Sequence, residues 1–227
     1  MIYLEVEKNP ESLLSEAYRT MRTSVLHSSS SMDLKTLLIT SPGSQEGKTT
    51  IAANLAVAMS QIGKKVLVMD CDLRRPSIHR VFDITNVLGL SRVLIDNLMF
   101  EHFVIKHSSN LHILTCGDVP QNPAEILASH AFENLLEHAR QLYDIIILDS
   151  PPIIAVTDAQ ILSNMVDGVL LVVNSSVSPI EACEKAKNLL KSINANIIGV
   201  VLNKAENRRG KYYSYSNYIK KTKHTTK

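Results

Sequence analysis

Residues 41–50 read SPGSQEGKTT, a turn with glycine at Gly43 and Gly47 that closes on Lys48 and Thr49. It lies between the apolar stretch Leu37 to Thr40 and the alanine-rich run IAANLAVAM. Such a turn points consecutive backbone N–H groups inward and opens onto a helix N-terminus, so it can hold polyphosphate oxygens. Lys48 would reach the β- and γ-phosphates, and Thr49 would meet Mg²⁺. The pattern GxxxxGK[ST] is matched except at its first glycine, where Pro42 stands and glycine follows one position later. A GK[ST] triplet in a polar loop is common by chance. One set between a buried-strand pattern and an alanine-rich amphipathic helix is much rarer, and it points to a nucleoside triphosphate.

Two further segments end in carboxylates. VLVMDCDL runs from Val66 and presents Asp70 and Asp72, and DIIILDS presents Asp149. A magnesium ion takes oxygen ligands and keeps several waters, so Thr49 with one or two aspartates around a bound triphosphate is chemically sufficient. Any one of these aspartates alone would be read as a strand terminator; three together with Lys48 and Thr49 are not. Strand alternation would place Asp70 and Asp72 on one face, one helping to bind metal and the other accepting a proton. Phosphoryl transfer is mostly positioning plus electrostatic relief, and removing a hydroxyl proton is the task left for a base. Asp70 is the candidate base. Arg74 and Arg75 follow directly, either as cations near the γ-phosphate or as solvated loop residues.

These residues need a frame, and the chain supplies a βαβ rhythm. Strand patterns at Thr36 to Thr40, Val66 to Asp70, Leu111 to Thr115, Asp144 to Asp149, Gly168 to Asn174 and Asn196 to Asn203 alternate with helical ones. The helices are predicted at Thr49 to Ile62, with Gly63 as a stop, Ala131 to Leu142, Asp158 to Met165 and Pro179 to Ile193. Asn9-Pro10-Glu11 predicts a helix from Glu11 to His27, followed by a polar linker. Continuously apolar strands flanked by helices imply an α/β fold, a parallel sheet covered on both faces with ligands beyond the strands' carboxyl ends. Three parts are expected: an N-terminal helix and linker over 1–31, a nucleotide-binding domain over 32–203, and a basic, tyrosine-rich tail over 204–227.

The 227 residues are 45% hydrophobic and 20% charged, ordinary for a soluble globular chain. No apolar run approaches the ~18 to 20 residues of a membrane span, and the N-terminus lacks a signal-peptide pattern, so a cytoplasmic location is expected. Cys71, Cys116 and Cys183 are odd in number and lack C-x-x-C spacing, which indicates neither a disulfide framework nor zinc. Charge is uneven: from Lys204 onward eight Lys or Arg face the single Glu206, a local +7 that leaves the rest at −5.

PGSQEGKTT, VLVMDCDLRRP and DIIILDSPP, in this order, resemble the Walker A, A′ and B motifs of the bacterial tyrosine kinases of capsular and exopolysaccharide assembly. The resemblance extends over nearly the whole chain. EAYRTMRT is similar to that family's ExxRxxR oligomerisation helix, with Glu16, Arg19 and Arg22 at its marked positions, and QNPAEILAS is similar to its PNPAELL segment. A displaced first Walker glycine is usual there. The resemblance implies a Min/Par-like P-loop fold and ATP-dependent autophosphorylation of the C-terminal tyrosines. It implies Lys48 on the phosphates, Thr49, Asp72 and Asp149 around Mg²⁺, and Asp70 as activator of tyrosine. The nucleotide-contacting set is Gly43, Ser44, Gln45, Glu46, Gly47, Lys48, Thr49 and Thr50, with Asn203. Implied partners are further copies of the chain in a ring, expected as an octamer, protein tyrosine substrates, a counteracting phosphotyrosine phosphatase, and a transmembrane co-polymerase protein that activates the kinase and recruits it to the membrane. No nucleic-acid partner is expected.

Tyr212, Tyr213, Tyr215 and Tyr218 fall in KYYSYSNYIKK, where no apolar periodicity accounts for them. They are the candidate phosphorylation sites, although an aromatic cluster in a basic stretch could also dock on the protein, stack on bases or sit at a membrane. As flexible chain, the roughly 15 residues from Asn203 to Tyr218 reach about 20 to 23 Å, which permits transfer within or between subunits. The Glu16–Arg19 spacing alone allows only an intrahelical pair of about 0.2–0.5 kcal/mol. The competing reading is a Min/Par-type partitioning ATPase. Those ATPases carry a lysine five positions before the Walker lysine, and Gly43 stands there. A nucleotide-gated assembly protein without phosphotransfer is a third class.

Overall fold

Parallel strands buried on both faces have no polar side, and their alternate residues must feed two separate cores. In the computed structural model, which describes residues 4–29 and 34–205, this is what the apolar runs do. Leu37, Ile39, Val66, Val68, Ile145 and Ile147 enter one core. Their chain neighbours Leu38, Leu67, Met69, Ile146 and Leu148 enter the other.

The elements in chain order are α1 (Glu5–Lys8), α2 (Leu13–Ser29), β1 (Thr36–Thr40), α3 (Lys48–Ser60), β2 (Val66–Asp70), α4 (Ile78–Phe82), α5 (Leu90–Ile95), a 3₁₀ turn at Phe100–His102, β3 (Ile105–Lys106), β4 (Leu111–Leu114), α6 (Pro123–Leu127), α7 (His130–Leu142), β5 (Ile145–Asp149), α8 (Asp158–Ser163), β6 (Gly168–Asn174), α9 (Ile180–Ser192) and β7 (Ile197–Asn203). The sheet order is β3-β4-β2-β5-β1-β6-β7, parallel except for the short edge strand β3. The doubly wound architecture agrees with the expected α/β class. The two-residue edge strand β3 and the helices α4, α5 and α6, of five or six residues, are not legible in the sequence, because such short segments carry too little periodicity.

The N-terminal region departs from its expected form. The long helix begins at Leu13, not Glu11, because Ser12 supplies the cap: its hydroxyl accepts from Ser15 N at 3.1 Å. Asn9 and Pro10 instead close α1, with the Asn9 carbonyl receiving Ser12 N and Ser15 Oγ. α1 and α2 lie over α3, which is therefore buried on all sides from Ile51 to Met59 and not amphipathic. Val6 N donates to Asn54 Oδ1, and Arg22 donates to the Ala58 carbonyl in the last turn of α3. Gly63, in the left-handed region at φ 84°, ends the turn after it as expected. No helix among the described residues is long and apolar enough to cross a membrane. The four tail tyrosines lie outside the described residues, as do 30–33 in the linker.

One polar junction ties the opposite edge of the strands together. Asp167 accepts from Lys35 N, Thr36 N, Thr36 Oγ1 and both ways from Arg140, at 2.7–2.9 Å. Burial pushes this carboxyl up, but the hydrogen bonds from Thr36, Lys35 and Arg140 more than offset it and hold it below the usual range. A depressed folded-state pKa stabilises above the unfolded value and stops doing so as pH falls through the folded one. Asp167→Asn is expected to cost about 1–3 kcal/mol at pH 7 in urea unfolding, and the cost should shrink only below about pH 4.

Candidate active site

β1 delivers the chain into the phosphate-type turn, and α3 begins at Lys48 immediately after Gly47, whose φ of 98° is open to glycine. Gln45 also takes a left-handed conformation, at φ 60°. The turn is held from behind. Glu46, which the sequence places among the nucleotide contacts, turns its carboxylate into the protein. Oε1 accepts from Gly43 N at 2.6 Å, and Oε2 accepts from Asn174 N at 3.0 Å and Ser178 Oγ at 2.7 Å. Ser41 Oγ adds a bond to the Gly43 carbonyl. Asn203 is also a brace: its amide donates to the Glu46 carbonyl at 2.8 Å and accepts from Lys204 N. It sits so close that a Cβ on Gly47 would overlap it, so Gly47 is required twice. Ser44 and Gln45 are exposed, and Thr50 is partly so.

Asp70 and Asp149 are register partners on the adjacent strands β2 and β5. Both share parity with the residues that face α3, so the two carboxylates converge beside its first turn. Both are buried, at 0% and 1% exposure. Asp70 Oδ2 accepts from Ser77 N and Ile78 N, each at 2.9 Å, while Oδ1 is without a partner. Both oxygens of Asp149 are also unpartnered. Thr49 is near enough to act on Asp149, although its hydroxyl is bonded to Ser77 Oγ at 2.9 Å.

Such an arrangement is expensive when ionised. Burial first, and then the Asp149 charge, hold Asp70 well above the usual carboxylate range, against the two backbone N–H groups. Burial pushes Asp149 up to about 7, with Lys48 and Thr49 pulling it back. The residues fit a divalent cation: three buried carboxylate oxygens lack donors, a threonine hydroxyl stands beside them, and hard cations take oxygen ligands.

Asp72 is placed differently from the alternation argument. β2 ends at Asp70, and Asp72 lies in the following loop, partly exposed, where Oδ1 accepts from Arg75 N at 3.0 Å. Its charge still acts on Asp70 and Asp149. Arg74 is exposed but not free. It forms a two-bond pair with Asp158, both contacts 2.9 Å, and the carboxylate is fully buried. Asp158 and Ser77 were missed in the sequence. Ser77 follows a proline and opens a helix, which marks a turn but not a bridge between Thr49 and Asp70; the Arg74–Asp158 pair spans 84 positions, beyond any local signal.

Glu16 and Arg19 pair within α2 at 3.0 Å, and Arg19 also reaches the Pro10 carbonyl. With Arg22 on Ala58, the two arginines thus serve this chain's own fold.

Residues 43–203 match the AAA domain family. The tyrosine-protein kinase YwqD of Bacillus subtilis (strain 168) is 42% identical over 91% of this chain and 87% of its own length. This chain belongs to the bacterial tyrosine kinase family. It is a protein-tyrosine kinase. Tyrosine-protein kinase wzc of Salmonella typhi is 34% identical over 92% of this chain, which spans 29% of that longer protein. Among solved structures, the kinase domain of the Escherichia coli tyrosine kinase ETK has a TM-score of 0.87 at 32% identity, over 93% of this chain and 84% of that one. The chimerical protein CapA2B2 has a TM-score of 0.85 at 38% identity, covering 89% of each. The septum site-determining protein MinD of Pyrococcus horikoshii is more distant, with a TM-score of 0.64 at 26% identity over 76% of this chain and 72% of its own. The partitioning-ATPase alternative thus shares the P-loop fold, while the kinases match more of the chain more closely.

In the ligand-free protein, a folded-state pKa above the unfolded value of about 4 means stability falls as pH rises from there toward about 7. Asp149→Asn should therefore stabilise the ligand-free chain at pH 8 by about 1–3 kcal/mol, with the gain vanishing near pH 4, in thermal or urea unfolding.

Proposed function

We propose that the chain transfers the γ-phosphoryl group of ATP to tyrosines of its own tail, Tyr212, Tyr213, Tyr215 and Tyr218, and thereby regulates capsular or exopolysaccharide synthesis and export. The observation that supports this reading most directly is the convergence of Asp70 and Asp149, with three unpartnered buried oxygens, on the turn that carries Lys48 and Thr49.

In this mechanism the backbone N–H groups of the turn and the start of α3 hold the phosphates, and Lys48 stabilises charge on the transferring group. Thr49, Asp72 and Asp149 would hold Mg²⁺. The ion supplies positive charge that lets the buried carboxylates ionise and relieves repulsion on the triphosphate. Asp70 Oδ1 takes the phenolic proton as the tyrosine oxygen bonds to phosphorus and the bond to the β-phosphate oxygen breaks. Because Ser77 and Ile78 fix Oδ2, Oδ1 is held in one direction. Excluded water and fixed donors make such electrostatic aid worth far more than in solution.

The ring assembly, the transmembrane activator and the peripheral location at the inner face of the membrane belong to the same proposal. The longer relatives, of which this chain spans 29%, favour a separate membrane partner, and the ring rests on the likeness of Glu16, Arg19 and Arg22 to the family's oligomerisation motif, although all three also bond within this chain. Phosphorylation also offers a switch. Each phosphotyrosine adds about −1.5 to −2, so four nearly cancel the tail's +7.

Incubation with Mg²⁺ and ATP, with and without the cytoplasmic segment of the activator, followed by mapping of phosphorylated residues, tests the reading. Label is expected on the four tail tyrosines. Lys48→Met should reduce it by roughly 10²-fold or more while the chain stays folded, and changing all four tyrosines to phenylalanine should remove it. Equal labelling of the Lys48 variant would rule out the site.

A further inference from the structure

β4 is the neighbour of β2, and its continuation past Leu114 runs beside Asp70–Asp72 at the strands' carboxyl end. Residues 86–91 cross that continuation and are pinned to it. Leu90 N and Ser91 N donate to the carbonyls of Thr115 and Cys116 at 2.8 and 2.9 Å. The Asn86 amide closes on Gly117 in both directions, donating to its carbonyl and accepting from its N–H, each at 2.9 Å. A Cβ on Gly89 would overlap the Thr115 carbonyl oxygen, so the crossing is as tight as backbone allows. The junction is thus rigid. Yet the side chains that flank it are apolar and outward: Val87 is 68%, Leu88 53% and Val119 57% exposed.

Exposed acidic residues accompany these three in the same stretches of chain. Asp83, Asp118 and Glu125 are exposed. Asp118 and Asp72 both act on the Cys116 thiol, and Glu125 and Asp72 both act on Arg74, so they share the neighbourhood of the site. Arg74 is already matched by Asp158, while Arg75 and Arg80 are further exposed cations on this side of the chain.

The chain carries a segment of complementary chemistry. Residues 211–219 read KYYSYSNYI within a stretch whose net charge is +7. With strands about 4.8 Å apart, the platform stands one spacing from Asp70, and five spacings, about 24 Å, separate it from the end of β7. A span of that size is close to the reach of the chain from Asn203 to Tyr218.

We propose that the surface formed by Val87, Leu88, Val119 and Asp118 docks residues 211–219 of this chain, and that it selects acceptor tyrosines set among basic residues with a second aromatic one to three positions away. The proposal rests on the tail's being the phosphoryl acceptor. One tyrosine enters toward Asp70 while a neighbouring ring covers the valines and leucine, and lysines or arginines face the acidic rim.

The test uses the full chain with its four tail tyrosines changed to phenylalanine, so that only an added peptide of residues 207–220 is labelled. Val87→Ser/Leu88→Ser/Val119→Ser should raise KM for the peptide roughly tenfold while kcat and the KM for ATP stay within about twofold. Asp118→Lys should raise the peptide KM several-fold, and a peptide carrying Lys211→Glu should recover most of that loss. If the triple variant does not fold, the Asp118 charge swap carries the test. An unchanged peptide KM, or no recovery with the swapped peptide, would overturn the docking surface and leave the kinase reading standing. Failure of the parent protein to label the peptide would overturn the tail-acceptor reading, and the docking surface with it.

Discussion

Two carboxylates facing each other across adjacent parallel strands, both cut off from water, set the terms for this active site. Asp70 and Asp149 are not tolerated as a charged pair without help, since neither burial nor mutual repulsion is repaid inside the ligand-free chain. Only part of the help is built in. Asp70 receives two N–H groups at the start of α4, and Asp149 feels Lys48. In the proposed mechanism the remainder comes with the nucleotide and its cation. A site that is electrostatically unfavourable when empty favours whatever brings cations to it, which makes the cost in stability part of its selectivity.

The phosphate turn shows the same logic from the other side. A loop rich in inward N–H groups is positive, and Glu46 answers it from behind, its carboxylate spread over Gly43, Asn174 and Ser178. That carboxylate fixes the turn to the ends of β6 and the loop before α9. Asn203 fixes it to the end of β7. Three distant parts of the chain therefore define the shape of one turn.

The sequence made this site legible where a residue's role is set by its neighbours in the chain. Lys48 and Thr49 after Gly47, and Asp70 and Asp149 at the ends of apolar strands, could be placed at one sheet edge because βαβ connection leaves little choice of topology. Roles set by remote partners were not legible. Glu46 and Asn203 are expected among the nucleotide contacts, and the structure adds a bracing role for each that no local pattern signals: they bond to each other across 157 positions. Asp72 was read as strand because alternation was carried two residues past the last one paired in β2. α3 looked amphipathic because its outer face carries alanine and threonine; the cover provided by α1 and α2 could not be anticipated without recognising α1 as a helix at all.

That cover has a mechanical consequence. α3 begins with Lys48, the proposed phosphate lysine, and has the Ala58 carbonyl in its last turn held by Arg22 of α2, and between these points Asn54 receives the backbone of α1. A buried helix packed on every side moves as a rod, since close-packed interiors transmit displacement instead of absorbing it. The helix carrying Glu16, Arg19 and Arg22 is thus linked through α3 to Lys48 by direct contacts alone. A partner surface that engaged α2 would therefore bear, through α3, on the position of the turn that carries Lys48.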